Sequence, residues 1–253
     1  MSDTELISVI TATHDPEAPY LQTAYQSLIN QEDVRWEWLI QFDGESWDVP
    51  HWIRNDSRIR VEINGAKFGI ANTRNLALAR AKGAYVQSLD SDDWLLPDAL
   101  SRLSSVLRDD PDLGYAVGQL QFLVNDALTD RSDHDQQSEP LPSVGKIMPQ
   151  ALYDFWEAEQ DLHSAFNFPM WRRDVLLAYG GWAAISTGED FNVLFAVSED
   201  YPGELLDDCT LVYRQHADSV MHNSEYWRIS PRNRAFTVAR IEAIRALRAS
   251  SPR

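Results

Sequence analysis

Ala84-Tyr-Val-Gln-Ser-Leu-Asp-Ser-Asp-Asp-Trp-Leu-Leu-Pro97 is the stretch on which the reading of this chain turns. Ala84 to Leu89 is a short β-rich run that passes without a spacer into Asp90-Ser-Asp-Asp93. A strand that would bury both faces belongs in a parallel sheet covered by helices. Three carboxylates at its end repel one another unless a cation joins them. Hard divalent ions such as Mg²⁺ and Mn²⁺ take oxygen ligands, using one or two protein carboxylates and bridging to substrate phosphates. The competing reading is an acidic helix start. Pro97 opens a pattern carrying Leu100, Leu103 and Leu107, with Asp93 as its cap and Asp98 near its positive end.

Toward the N-terminus, strand and helix patterns alternate. Leu6 to Thr13 reads as a strand stopped by Asp15-Pro16, and Tyr20, Leu21, Ala24, Leu28 and Ile29 mark one face of a helix. Glu37 to Phe42 is a second strand ending at Asp43-Gly44, and Arg58 to Ile63 a third ending at Asn64-Gly65. Ile70 to Arg80 is a helix, with Gly83 in the position expected after its C-cap. Strands joined by such helices lie parallel with right-handed crossovers, and ligands bind outside their carboxyl ends. Thr13, Asp43 and Asp90 to Asp93 all arrive at that edge.

Beyond it, Gly114 to Val124 and Leu205 to Tyr213 read as strands, Met148 to Glu159 and Pro231 to Arg248 as helices. Asn125 to Pro142 is polar and acidic, and is expected to be a mobile loop. The expectation is one α/β domain over residues 1–253, a mostly parallel Rossmann-type sheet flanked by helices. Residues 1–124 form its nucleotide-binding half and 143–253 its acceptor half.

Composition sets limits. The chain has 253 residues, 44% hydrophobic and 24% charged, which is globular. A net charge of −17 keeps it off nucleic acid and anionic lipid, so a bound phosphate needs a local device: a metal, an arginine or backbone amides. The single cysteine, Cys209, permits no intramolecular disulfide and no Cys-built metal site, and is expected to be a buried thiol. Met1 to Leu6 lacks the order of a secretory signal. No apolar run nears the ~20 residues that span a bilayer, so the cytoplasm is the expected address.

Five segments resemble, in order, those of inverting family-2 glycosyltransferases of the GT-A fold. They are Ile7 to Asp15, Ile40 to Ser46, Gly69 to Asn75, Leu89 to Pro97, and Phe168 to Leu176 continuing through Gly180-Gly-Trp182 to Gly188-Glu-Asp190. The resemblance implies a nucleoside-diphosphate-sugar donor, UDP-linked above all, and an acceptor hydroxyl or amine on a small molecule or glycan. It implies that Thr13 and Asp43 hold the base, Asp43 accepting from an imide N–H, that His14 stands where the family has a stacking aromatic, and that Asp15 belongs to the same nucleotide-binding loop. Arg74 would meet the diphosphate, with Lys67 a weaker candidate; Asp90 would touch the ribose or metal region, and Ser91 would belong to the same donor-nucleotide site. Asp92 would bind Mn²⁺ or Mg²⁺, joined by His216 of Tyr213-Arg-Gln-His216.

Asp190 would be the base that takes the acceptor's proton, with Glu189 beside it; the pair also reads as a helix N-cap before Phe191. Trp182 and Trp171 flank the Gly180-Gly181 turn and are candidates to dock a sugar face. Two rival activities are a nucleotidyltransferase acting on a sugar phosphate and a non-catalytic carbohydrate-binding protein. The first lacks a Gly-rich basic loop after the first strand, since Thr13-His-Asp-Pro16 offers none.

Overall fold

A computed structural model describes residues 5–15, 20–124, 127–129, 141–215 and 224–250. β1 (Leu6–Thr13) and β2 (Arg35–Phe42) are buried along nearly their whole length, as central strands covered on both faces must be. α1 (Leu21–Ile29) connects them, and its Leu21, Ala24 and Leu28 face the sheet. After α2 (His51–Arg54) comes β3 (Ile59–Ile63), whose burial fades along the strand as befits an edge. α3 (Ile70–Leu78) then leads into β4 (Tyr85–Ser88). These four strands pair in parallel in the order β3-β2-β1-β4.

The second half departs from simple alternation. β5 (Trp94–Leu95) follows the acidic turn, then α4 (Ala99–Asp109), β6 (Tyr115–Val124), β7 (Ala127–Thr129) and β8 (Gly145–Ile147). α5 (Ala151–Glu159) and the 3₁₀ turn Ser164–Asn167 precede β9 (Met170–Arg172). α6 (Arg173–Ala178), α7 (Glu189–Ser198), β10 (Gly203–Gln215) and α8 (Ser224–Ser250) complete the chain. All ten strands share one sheet, ordered β3-β2-β1-β4-β9-β6-β10-β5, with β7 on β6 and β8 on β10. β9 is antiparallel to both β4 and β6, and β10 runs parallel to β6. The sheet is therefore mixed but mostly parallel in its long strands, and strands from both halves share it.

Four expectations change. The acidic loop is not wholly irregular: Ala127–Thr129 pairs with the end of β6, where Leu128 faces Leu123. Asp93 does not cap α4, because β5 intervenes and the helix starts at Ala99. Its N-cap, Asp98, sits at φ 62° with no side-chain cap, a left-handed conformation Asp tolerates better than most residues. Cys209 is half-buried at a register shift of β10, not fully buried. Pro231 lies inside α8 and does not open it.

α8 is fixed along α7. Asn192 on α7 donates to the Thr237 hydroxyl at 2.9 Å. At the far end of α7 the Glu199 carboxylate, itself buried, accepts from Arg245 at 2.7 Å and Arg248 at 2.9 Å. Asn233 donates to Thr187 Oγ1 at 2.8 Å, tying α8 to the loop just ahead of α7.

Candidate active site

The register fixes which residues meet at the carboxyl edge. Ile10 pairs with Ser88 and Thr13 with Phe42, so β1, β2 and β4 run out together. Thr11 welds them: its hydroxyl donates to the Leu89 carbonyl at 2.6 Å and accepts from Trp38 Nε1 at 2.8 Å. Thr13 is buried there, its hydroxyl without a partner among the described residues, and its carbonyl accepts from the Asp43 amide at 2.7 Å. His14 is exposed and Asp15 half-buried just beyond.

Asp43 organises the approach to α3. Its carboxylate accepts from the Phe68 amide at 2.6 Å, the Gly69 amide at 3.0 Å and Asn64 Nδ2 at 2.9 Å. Burial acts to raise its pKa, but the hydrogen bonds from Phe68, Asn64 and Gly69 outweigh it and hold the carboxyl below its ordinary value.

Arg74, on α3, is 2% exposed and reaches three carboxylates. Nη2 donates to Asp90 at 2.7 Å, while Nη1 donates to Glu189 at 2.9 Å and Asp190 at 2.7 Å. One guanidinium thus joins the end of β4 to the start of α7. Burial opposes its charge, but Asp190, Asp90 and Glu189 together hold its pKa above the ordinary arginine value. Gly188 lets the chain turn into α7 at φ 72°, and Glu189 and Asp190 fall in the first turn of the helix without capping it. There the helix dipole favours their charge. Glu189 is 5% exposed. Burial pushes the Asp190 carboxyl well above its usual range, Arg74 pulls it back, and Glu189 and Asp90 push it up again.

The neighbour of Arg74 supports the same carboxylate from another side. Asn75 Nδ2 donates to the Trp182 carbonyl at 2.7 Å and its Oδ1 accepts from the Trp182 amide at 3.0 Å. So held, Trp182 donates its indole N–H to Asp190 Oδ1 at 3.0 Å. Gly181, at φ 67°, makes this possible, since a Cβ there would lie 2.2 Å from Asn75 Oδ1.

In the acidic turn, Asp90, Ser91 and Asp92 are half-buried while Asp93 is 0% exposed. Asp93 Oδ1 accepts from the Arg214 amide at 2.8 Å and Oδ2 has no partner among the described residues. Burial first, then Asp92 and Asp90, raise its pKa well above normal. Among the described residues no group of three or more His, Cys, Asp or Glu is arranged to hold a metal. The donor set still fits a hard cation. Two half-buried carboxylates, Asp90 and Asp92 with Ser91 between them, match the one or two such ions take from protein when substrate phosphates complete the shell.

The structure thus gathers Asp90, Arg74, Glu189, Asp190 and Trp182, and aligns Thr13 and Asp43 at the same edge. Arg74 is enclosed by acids, because its reach from α3 ends at the base of α7. Two expectations are corrected. Trp182 is 2% exposed, so its ring is not open to a sugar and it acts through its N–H. Trp171 is 1% exposed in β9, its ring 5.7 Å from that of Tyr115, because a strand between β4 and β6 has both faces covered. His216 lies outside the described residues. Sequence reasoning gave no role to Asn75 or Arg214, although both stand in quoted motifs; the hydrogen-bonding capacity of Asn75 and the fixed charge of Arg214 were the available signals.

Comparison with known proteins gives the class first. The chain superposes on Staphylococcus aureus TarS (residues 1–349) with a TM-score of 0.62 at 16% identity, covering 82% of this chain and 60% of that one. The complex of TarS with UDP matches as well, with a TM-score of 0.62 at 17% identity over 83% and 61%. The fold is that of GT-A glycosyltransferases. Residues 8–180 match the description of glycosyl transferase family 2, more than half of the chain, and the protein belongs to that family. Relatives include the UDP-Glc:alpha-D-GlcNAc-diphosphoundecaprenol beta-1,3-glucosyltransferase WfgD of Escherichia coli, 27% identical over 50% of this chain and 50% of its own. The O-antigen biosynthesis protein RfbC of Myxococcus xanthus is 30% identical over 45% of this chain and 9% of its own. The chain spans half or less of these relatives' length. No helix among the described residues is long and apolar enough to cross a membrane.

Proposed function

We propose that this glycosyltransferase moves a sugar from a UDP-linked donor to an acceptor hydroxyl or amine, with inversion and with a divalent cation. The observation that carries the reading is the joining of Asp90, at the edge where the donor binds, to Asp190 through one buried guanidinium. Asp90 and the proposed base Asp190 thereby stand on opposite arms of Arg74. The UDP and UDP-GlcNAc complexes of TarS support the choice of donor.

The acceptor oxygen or nitrogen attacks the anomeric carbon from the face opposite the diphosphate. Its proton passes to the Asp190 carboxylate as the carbon–oxygen bond to phosphate breaks, and the bonding pair leaves with the nucleoside diphosphate. The raised pKa makes Asp190 a better base, while N–H donation from Arg74 and Trp182 keeps it oriented. Asp92, with Asp90 beside it, would hold Mn²⁺ or Mg²⁺, and the ion when bound would supply positive charge to the leaving diphosphate. The likeness to WfgD supports a sugar already on a diphosphate carrier as one acceptor class.

Asp190→Asn tests the reading. Turnover of UDP-sugar, measured as UDP release, should fall by ~10²–10⁴ while UDP affinity stays within about twofold. Equal turnover in the two proteins would remove Asp190 from the chemistry.

A further inference from the structure

Both terminal nitrogens of Arg74 are engaged by carboxylates, yet an arginine whose terminal nitrogens are unengaged among the described residues stands on the same edge. The antiparallel pairing of β5 with β10 sets Val212 opposite Trp94, and continuing that register brings Arg214 to Asp92. Its amide donates to Asp93 Oδ1 at 2.8 Å and its Nε to the Asp92 carbonyl at 3.0 Å. Its guanidinium carbon lies 4.1 Å from the ring centre of Tyr20, at the head of α1, and 5.1 Å from that of Trp94. The side chain is half-buried and held on three sides. Nη1 and Nη2 have no hydrogen-bond or ion-pair partner among the described residues.

In a chain of net charge −17 an arginine fixed beside Asp92 and Asp93 would be expected to bind a carboxylate. This one is instead turned onto two aromatic faces, with its four terminal N–H groups unspent. A planar fork oriented by stacking suits the paired oxygens of a phosphate. We propose that Arg214 is the arginine that meets the phosphates of the donor, and that Arg74 serves as an internal clamp. The proposal rests on the donor reading above.

Calorimetric titration of the whole chain with UDP and with uridine, in Mn²⁺, tests it. Arg214→Ala should lose ~10–100-fold in UDP affinity, the scale of a charge-assisted hydrogen bond, with uridine affinity within about twofold of wild type. Arg214→Lys should recover part of the loss. Arg214→Gln, which keeps an amide to stack and donate, should not. Parallel losses for UDP and uridine, or unchanged UDP affinity in all three variants, would overturn the assignment and leave Arg214 as a brace for the turn. A wild-type chain that binds neither UDP nor uridine would overturn the donor reading itself, a result distinct from any pattern among the variants.

Discussion

The acidic turn Asp90–Asp93 and the pair Glu189–Asp190 both present carboxylates at the edge of the sheet, but they are neutralised differently. Glu189 and Asp190 share the buried guanidinium of Arg74 and, at Asp190, the indole N–H of Trp182. In the turn only Asp90 reaches that arginine; Asp93 is buried against the Arg214 amide, and Asp92 is half-buried. A carboxylate fixed to an internal cation is oriented once and for all, which suits a base. The carboxylate of Asp92, half-buried beside that edge, suits a site whose charge arrives with the substrate. The same residue type is thus put to two uses by what lies within hydrogen-bond reach.

Removing the internal cation should give the largest effect. Arg74→Ala leaves three partly or fully buried acids uncompensated. Breaking such a network costs about 3–5 kcal/mol. That corresponds to a fall in Tm of roughly 6–20 °C for a domain of this size, read by thermal unfolding. A fall under about 2 °C would mean that the pair at α7 is no better supported than the turn.

Asp92→Ala should act on the other cluster alone. In wild type, Mn²⁺ with UDP at 100 times its dissociation constant should add ~2.7 kcal/mol, a rise of roughly 5–10 °C that chelator abolishes. In the variant that chelator-sensitive rise should disappear while the unfolding temperature without ligand changes little. A preserved rise would move the cation away from Asp92.

Trp182→Phe is the smallest and sharpest change, since it keeps an aromatic ring and deletes one N–H. Loss of a hydrogen bond to a carboxylate should slow turnover about tenfold with the KM for donor unchanged. That N–H favours the charged form of Asp190, so its loss raises the pKa further, and the acid limb of the kcat profile should move to higher pH. An unmoved limb would show that Arg74 alone sets the base.

Much of this was legible beforehand. β1, β2, β4 and their helices follow from apolar runs with clear stops at Asp15-Pro16 and Asp43-Gly44, although α3 ends at Leu78 with Ala79 as its C-cap and not at Gly83. The Asp90, Arg74 and Asp190 positions followed from family likeness, but not their mutual contacts, because nothing local says that an arginine on α3 will reach residue 190. β5, β7 and β8 are two or three residues long and exist only through the long strands they pair with, so no periodicity marks them. Trp182 and Trp171 show the limit of residue-type reasoning. Both are buried tryptophans near a glycine turn, and only the direction of an N–H distinguishes the one at the site from the one in the core.

The place of β9 also governs the order in which this molecule can be assembled. β4 and β6 do not pair with each other; a strand of residues 170–172 lies between them. The first 124 residues, which look in sequence like a self-contained donor-binding unit, therefore cannot close their own sheet. As the chain emerges during synthesis, β1 to β4 must wait for about 80 further residues before β6 can be joined to them, a long-range closure of the kind that slows folding. The carboxyl edge and Asp190, which lies beyond β9 in the chain, are in this way completed late.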